Sequence, residues 1–256
     1  MAVVKTKIAA VSYLNTVPFV YGITHADKLD AELLLAPPAQ CARNYMDRKA
    51  DIALVPVGSL PMLEDAEIIT NYCIGAEKSV RTVTVMSNAP IAETRRLWLD
   101  SHSMTSALLV KILAAELWHI NPEWKELTDY SVVSHPEEGD AFLLIGDKVF
   151  DNEGHFAYTY DLADCWRELT GKPFVFAVWV TRKGIAPELI DDLEASLELG
   201  VERIWEAVNE SEHRSKDYAY TYLTENIDFL FDYQKRQALE LYWDKGRKFV
   251  PRANPG

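Results

Sequence analysis

The chain has 256 residues, 48% hydrophobic and 25% charged, which is enough apolar material for the core of one large domain or two small ones. Its net charge of −13 argues against nucleic acid and against an anionic membrane surface as partners, since neutralising phosphates takes clustered Lys and Arg. An anionic ligand would have to be met locally, at helix N-termini, rather than by the field of the whole molecule.

The amino terminus from Met1 to Lys7 carries no long apolar run and no small-residue cleavage site. No later segment approaches the roughly 18 uninterrupted apolar residues of a membrane span. Cys41, Cys73 and Cys165 are odd in number, widely spaced and without a metal-type pair, as expected of reduced core residues. The expectation is a cytoplasmic protein.

Lys7 to Val11 reads as a short apolar strand, and the turn after it, Ser12-Tyr13-Leu14-Asn15, leads through Thr16 and Pro18 into a helix. A turn leaving a strand's carboxyl end is where open α/β sheets hold small ligands. This one offers a hydroxyl, a phenol, an amide and backbone N–H groups, although a capped strand-to-helix turn would use the same residues. Ala31–Ala36 is a candidate strand, and Pro37-Pro38 opens a helix through Gln40, Asn44 and Met46. Asp51–Val55 follows as a buried strand ending at Pro56 and Gly58-Ser59, where it would wall the same kind of site. Ile68–Ile74 is another strand, broken by Gly75. This alternation implies βαβ units and a largely parallel sheet.

Val80–Met86 alternates with period two, and Pro173–Val180 is its later apolar counterpart. Between them lies a smaller α/β set: a helix over Thr105–Trp118, strands near Ser131–Val133 and over Ala141–Ile145, and a helix over Asp161–Leu169. The two long strands therefore read as crossings between two lobes. After Pro187 the chain turns helical, with Leu189, Leu193, Leu197 and Val201 on one face and a second amphipathic run over Ile227–Trp243. The expected plan is lobe one from residues 1–92 plus 173–256, with lobe two, 93–172, inserted and a ligand cleft at the hinge.

Leu99-Asp100-Ser101-His102-Ser103-Met104-Thr105-Ser106 crowds four hydroxyls at a helix start where one N-cap would do. Unpaired N–H groups and the helix dipole suit a carboxylate there, so Ser103, Thr105 and Ser106 are candidate ligands, with a redundant cap as the other reading. Gly146 and Asp147 end a buried strand. Gly146 would let a ligand approach the backbone, and Asp147 serves either to handle a proton or to start a turn. Lys78, Ser79, Arg81 and Thr82 approach the first crossing, where Arg81 is either a carboxylate clamp or a solvated charge. His102, His119 and His135 show no metal spacing, and there is no Gly-rich phosphate cradle and no Gly-x-Ser-x-Gly elbow. What remains is an enzyme without cofactor or metal, or a binding protein.

Several of these segments together resemble the cofactor-independent chorismate dehydratases of the futalosine route to menaquinone. They are Ser12-Tyr13-Leu14-Asn15 with Pro18, Asp51–Pro56, Leu99–Ser101 to Thr105-Ser106, Ala141–Asp147, Tyr160-Asp161-Leu162 with Trp166, and Thr170–Trp179. The resemblance runs from about residue 7 to about residue 182. It implies the two-lobe α/β fold of type 2 periplasmic solute-binding proteins. It also implies loss of water from chorismate to give 3-[(1-carboxyvinyl)oxy]benzoate, with chorismate the expected partner. By the same resemblance, Asn15 would hydrogen-bond the reacting region, with Thr82 or Ser79 opposite. The family commonly carries serine near position 82. Thr105 and Ser106 would hold one carboxylate, and Gly146 and Asp147 would border the ring.

Two rivals stay open. One is the sister enzyme making 1,4-dihydroxy-6-naphthoate, which the Ser-Tyr-Leu-Asn turn and the Phe-Ala-Val-Trp run disfavour. The other is a non-catalytic solute-binding protein or sensor for an aromatic acid. The Tyr-, Phe- and Trp-rich tail suits a homodimer or packing against lobe one equally.

Overall fold

The computed structural model describes residues 5–100, 103–213 and 215–250. The chain begins with strand β1 (Thr6–Val11), helix α1 (Val17–His25), β2 (Ala31–Ala36), α2 (Pro38–Met46), β3 (Ile52–Pro56) and β4 (Ala66–Ala76). Then follow β5 (Val83–Ser87), β6 (Arg96–Asp100), α3 (Met104–Glu116), β7 (Glu123–Leu127), α4 (Ser131–Ser134) and β8 (Asp140–Ile145). The third stretch holds α5 (Asp147–Asp151), β9 (Tyr158–Asp161), α6 (Leu162–Thr170) and β10 (Phe174–Arg182). The chain closes with α7 (Pro187–Glu202), α8 (Ile204–Glu210), α9 (Lys216–Glu225), β11 (Asp228–Leu230) and α10 (Tyr233–Gly246).

These elements sort into two α/β units. One takes the chain up to Glu77 together with Val175–Asp232, and the other takes Lys78–Phe174 and the chain from Tyr233 onward. The first unit holds a six-stranded sheet in the order β11-β4-β10-β3-β1-β2. Strand β1 runs parallel to β2 and to β3, whereas β10 runs antiparallel to β3. All five residues of β3 are buried, giving an uninterrupted apolar run rather than an alternating one, as befits a strand covered on both faces. Helices α1 and α7 pack so closely that a Cβ added at Gly22 would lie 1.9 Å from the Ser196 carbonyl oxygen, and one at Gly200 would lie 1.9 Å from that of Pro18.

The second unit holds a five-stranded sheet in the order β7-β6-β8-β5-β9, with β6 parallel to β7 and β8, and β5 antiparallel to β8 and β9. One face carries a core of Met86, Leu127, Val133, Phe142, Leu144 and Val149. Helix α10 is sewn into this unit by edge-to-face rings, Tyr242 against Phe174 at 5.4 Å and against Trp166 at 6.4 Å.

The structure corrects several expectations. Residues 78–92 and 233–250 group with the second unit rather than with lobe one, because β5 pairs with β8 and β9, and Tyr242 buries its ring there. Ser131–Val133 is the short helix α4, not a strand: Asp129 accepts from Ser131 N at 2.9 Å and starts a turn that two β-branched valines then disguise. The strand in this region is β7, whose charged, half-exposed edge hides its period. The run Ile227–Trp243 divides into β11 and α10.

Candidate functional site

In the first unit the chain goes from β1 to β2 on one side and then to β3 on the other, so strand order reverses at β1. The carboxyl ends of β1 and β3 lie side by side at this reversal, the place where open α/β sheets hold ligands. The Ser12–Asn15 turn stands there. Ser12 N donates to Ala36 O at the end of β2 (3.0 Å), and Thr16 N donates to Tyr13 O (3.0 Å), closing a short 3₁₀ turn over Leu14–Thr16. Leu14 and Thr16 are buried, Tyr13 and Asn15 half-buried and Ser12 exposed. Thr16 Oγ1 donates to Asn15 Oδ1 at 3.1 Å, which turns the Asn15 amide so that its nitrogen is the group left to donate. Beside it, Ser59 Oγ donates to Pro56 O at 2.7 Å, fixing the turn after β3.

In the second unit β6 and β8 end side by side. Ser103 N-caps α3, its Oγ accepting from Ser106 N at 3.3 Å, and Thr105 and Ser106 are both buried. The Tyr242 hydroxyl donates to Thr105 O at 3.1 Å, and burial of the phenol pushes its pKa up, so it remains a neutral donor. Asp100, with a fully buried side chain, pairs with Lys148 Nζ at 2.7 Å, and the same ammonium contacts the Tyr130 hydroxyl. Gly146 has φ 62° and ψ −140°, a backbone conformation that side-chain-bearing residues all but never adopt, so glycine is required there whether or not a ligand approaches. Asp147 is exposed at the first position of α5.

The same unit brings together Ser79, Arg81 and Thr82. Thr82 O accepts from Gly146 N at 2.8 Å, and the buried Thr82 hydroxyl donates to Val80 O at 3.4 Å. The Arg81 guanidinium is half-buried and pairs with Glu153 at 3.0 Å. Ser79 Oγ donates to Asp161 Oδ2 at 2.8 Å, and Asp161 also caps α6 through Ala163 N and Asp164 N.

Thus Ser12, Tyr13, Leu14, Asn15 and Pro56 share one strand-end edge of the first unit. Ser79, Arg81, Thr82 and Gly146 form one cluster in the second, with Ser103, Thr105 and Ser106 around the α3 N-terminus. Ser101 and His102, part of the hydroxyl-rich segment, lie outside the described residues. Sequence reasoning missed Asp161 as a partner of Ser79, and Lys148 with Tyr130 as partners of Asp100. The signal in each case was an acidic residue at a strand end, which reads locally as a cap. Among the described residues no group of three His, Cys, Asp or Glu side chains is arranged to hold a metal ion. Burial pushes the thiols of Cys41 and Cys165 up to about 12, far from the nucleophilic range. No helix among the described residues is long and apolar enough to cross a membrane.

The family model for menaquinone biosynthesis matches residues 6–248. The chain belongs to the menaquinone biosynthesis family. This member's structure is similar to protein AF1704 from Archaeoglobus fulgidus, with a TM-score of 0.75 at 16% identity, covering 96% of this chain and 97% of that one. It is also similar to the Candida albicans CA3427 gene product, described as having the generic periplasmic binding protein fold, with a TM-score of 0.68 at 12% identity and coverage of 98% and 92%. The periplasmic aliphatic sulphonate binding protein SsuA from Escherichia coli matches with a TM-score of 0.63 at 12% identity, covering 98% of this chain and 95% of that one. At these identities the likeness concerns fold alone, and the fold of this family member is that of the periplasmic binding proteins. Family membership assigns it a role in menaquinone biosynthesis.

Proposed function

We propose that this protein is a chorismate dehydratase, removing water from chorismate to give 3-[(1-carboxyvinyl)oxy]benzoate. The observation that carries the reading is the menaquinone biosynthesis match over nearly the whole described chain, within which the Ser12–Asn15 turn stands at the strand-order reversal.

The reaction breaks the ring C–H at the carbon bearing the enolpyruvyl ether and the neighbouring C–OH bond. The proton and the hydroxide leave as water, and the ring becomes aromatic. Aromatisation supplies the driving force, so the protein's work is to orient a dianion, to shield it from competing reactions and to stabilise charge as the C–O bond breaks. Asn15, whose amide oxygen already accepts from Thr16, is assigned to donate its amide N–H toward the reacting region. Thr105 and Ser106, with the N–H groups of the α3 start, are assigned to one carboxylate, and Thr82 supplies a hydroxyl to the other half of the substrate. No buried His or carboxylate among the candidate residues stands out as a general base, and a carboxylate of the substrate itself is assigned that proton.

Incubating purified protein with chorismate and following the diene absorbance tests the reading. Loss of the diene with appearance of an aromatic product is expected. An unchanged diene in the presence of saturable binding would make the protein a sensor or carrier of aromatic acids, and turnover of only a later pathway intermediate would make it the sister synthase.

A further inference from the structure

Asp161 ends β9 and begins α6, and its carboxylate gathers hydrogen bonds from two segments far apart in sequence. Oδ1 accepts from Ala163 N at 2.9 Å and from Asp164 N at 3.2 Å, an ordinary N-cap of α6. The cap does not account for the rest. Oδ2 accepts from Ser79 Oγ at 2.8 Å and from Arg81 N at 2.7 Å, and Oδ1 accepts also from Val80 N at 3.2 Å. Between these contacts Arg81 sits at φ 62°, in the left-handed region that a long side chain seldom adopts. Thr82 N reaches back to Val80 O at 2.8 Å, closing a three-residue turn, and Gly146 N holds Thr82 O at 2.8 Å on the way out. A strained turn persists only where its surroundings over-determine it, and such turns cluster where a ligand is held.

We infer that Asp161 is the positioning residue of the Ser79–Thr82 turn. Its Oδ2 holds Arg81 in the left-handed conformation and so sets where the Thr82 hydroxyl and the Arg81 guanidinium are offered to a carboxylate-bearing ring substrate. The inference rests on the reading of this turn as part of the chorismate site.

A double-variant cycle tests this. Asp161→Asn keeps an oxygen for the helix cap but puts an amide nitrogen where Oδ2 accepted from Arg81 N and Ser79 Oγ. Arg81→Gly removes the need for that grip, because glycine adopts positive φ freely. On chorismate, Asp161→Asn is expected to lower kcat roughly thirtyfold with KM within about threefold, through misplacement of the turn. With glycine at position 81 the same change is expected to cost only about threefold, a coupling that a helix cap alone would not produce. Without any substrate, amide exchange at Thr82 and Gly146 should quicken in Asp161→Asn and slow again in the double variant. Equal kcat losses in both backgrounds, or unchanged exchange at Thr82 and Gly146, would reduce Asp161 to a cap and overturn the inference. If the native protein leaves chorismate intact, the functional reading fails by itself and the exchange measurement still decides the role of Asp161. Should Asp161→Asn not fold, Asp161→Ser, a good N-cap with one short acceptor, enters the same cycle.

Discussion

At the scale of single residues, orientation matters more than identity. Asn15 is one of several amides at strand ends, and what distinguishes it is the bond from Thr16 Oγ1 that fixes which end of its amide donates. Asn15→Ala is expected to lower turnover of chorismate by roughly a hundredfold or more, as loss of a donor to developing charge does elsewhere, with little change in melting temperature. Steady-state kinetics beside a thermal melt checks this, and near-native turnover would remove Asn15 from the mechanism. Tyr242 is a structural counterpart: Tyr242→Phe loses the bond to Thr105 O and should cost about 1 kcal/mol of stability in denaturant unfolding. Asn15 and Gly146 were legible in the sequence as strand-end residues, and Thr82 was singled out through the family resemblance. Of the five bonds that converge on Asp161, the three from Ser79, Val80 and Arg81 were not legible, because a carboxylate opening a helix already has a sufficient local explanation, and these partners lie some eighty residues away.

At the scale of elements, the position of the Ser12–Asn15 turn follows from how α1 is seated. The stripe of α7 buried in the first unit includes Ser196 and Gly200 beside Leu193 and Leu197, since backbone-to-backbone approach to α1 selects small residues there. Periodicity picks out the leucines and passes over Ser196 and Gly200, which is why the leucine face alone was legible. Gly200→Ala is expected to destabilise by about 1–3 kcal/mol or more through overpacking, and to impair chorismate turnover by shifting α1 and the turn before it. Denaturant unfolding paired with kinetics would show both losses, and a variant as stable as the native protein would contradict the packing argument. A second tie joins α10 to α3. Hydrogen bonds from Lys245, at 2.5 Å, and Lys248, at 2.7 Å, hold the Glu116 carboxyl below its ordinary value of 4.5. A carboxyl lowered by folding contributes stability above its ordinary value and loses it as pH falls through the lowered one. Glu116→Gln should therefore be less stable than the native protein at neutral pH, with the gap narrowing in acid below the ordinary carboxylate range. A gap that stays constant across an acid titration of stability would sink that assignment.

At the scale of the whole molecule, alternating strand and helix runs made two α/β units legible from the amino-acid sequence, and the resemblance to a known family implied the periplasmic-binding-protein fold. The exact membership of the two units was not legible. The stretch from Lys78 joins the second unit through sheet pairing with β8 and β9, and α10 returns to it through aromatic packing, and neither kind of long-range contact leaves a local pattern. The strong acidity of the chain fits a dianion met by hydroxyls and helix N–H groups rather than by a basic field. The central claim is chemical, and one measurement addresses it most directly: product analysis by NMR and mass after the native protein has acted on chorismate. The account predicts one aromatic product, lighter than chorismate by one water and still carrying both carboxylates and the enolpyruvyl ether, formed mole for mole as chorismate disappears. Recovery of chorismate unchanged, under conditions where it binds saturably, would contradict it.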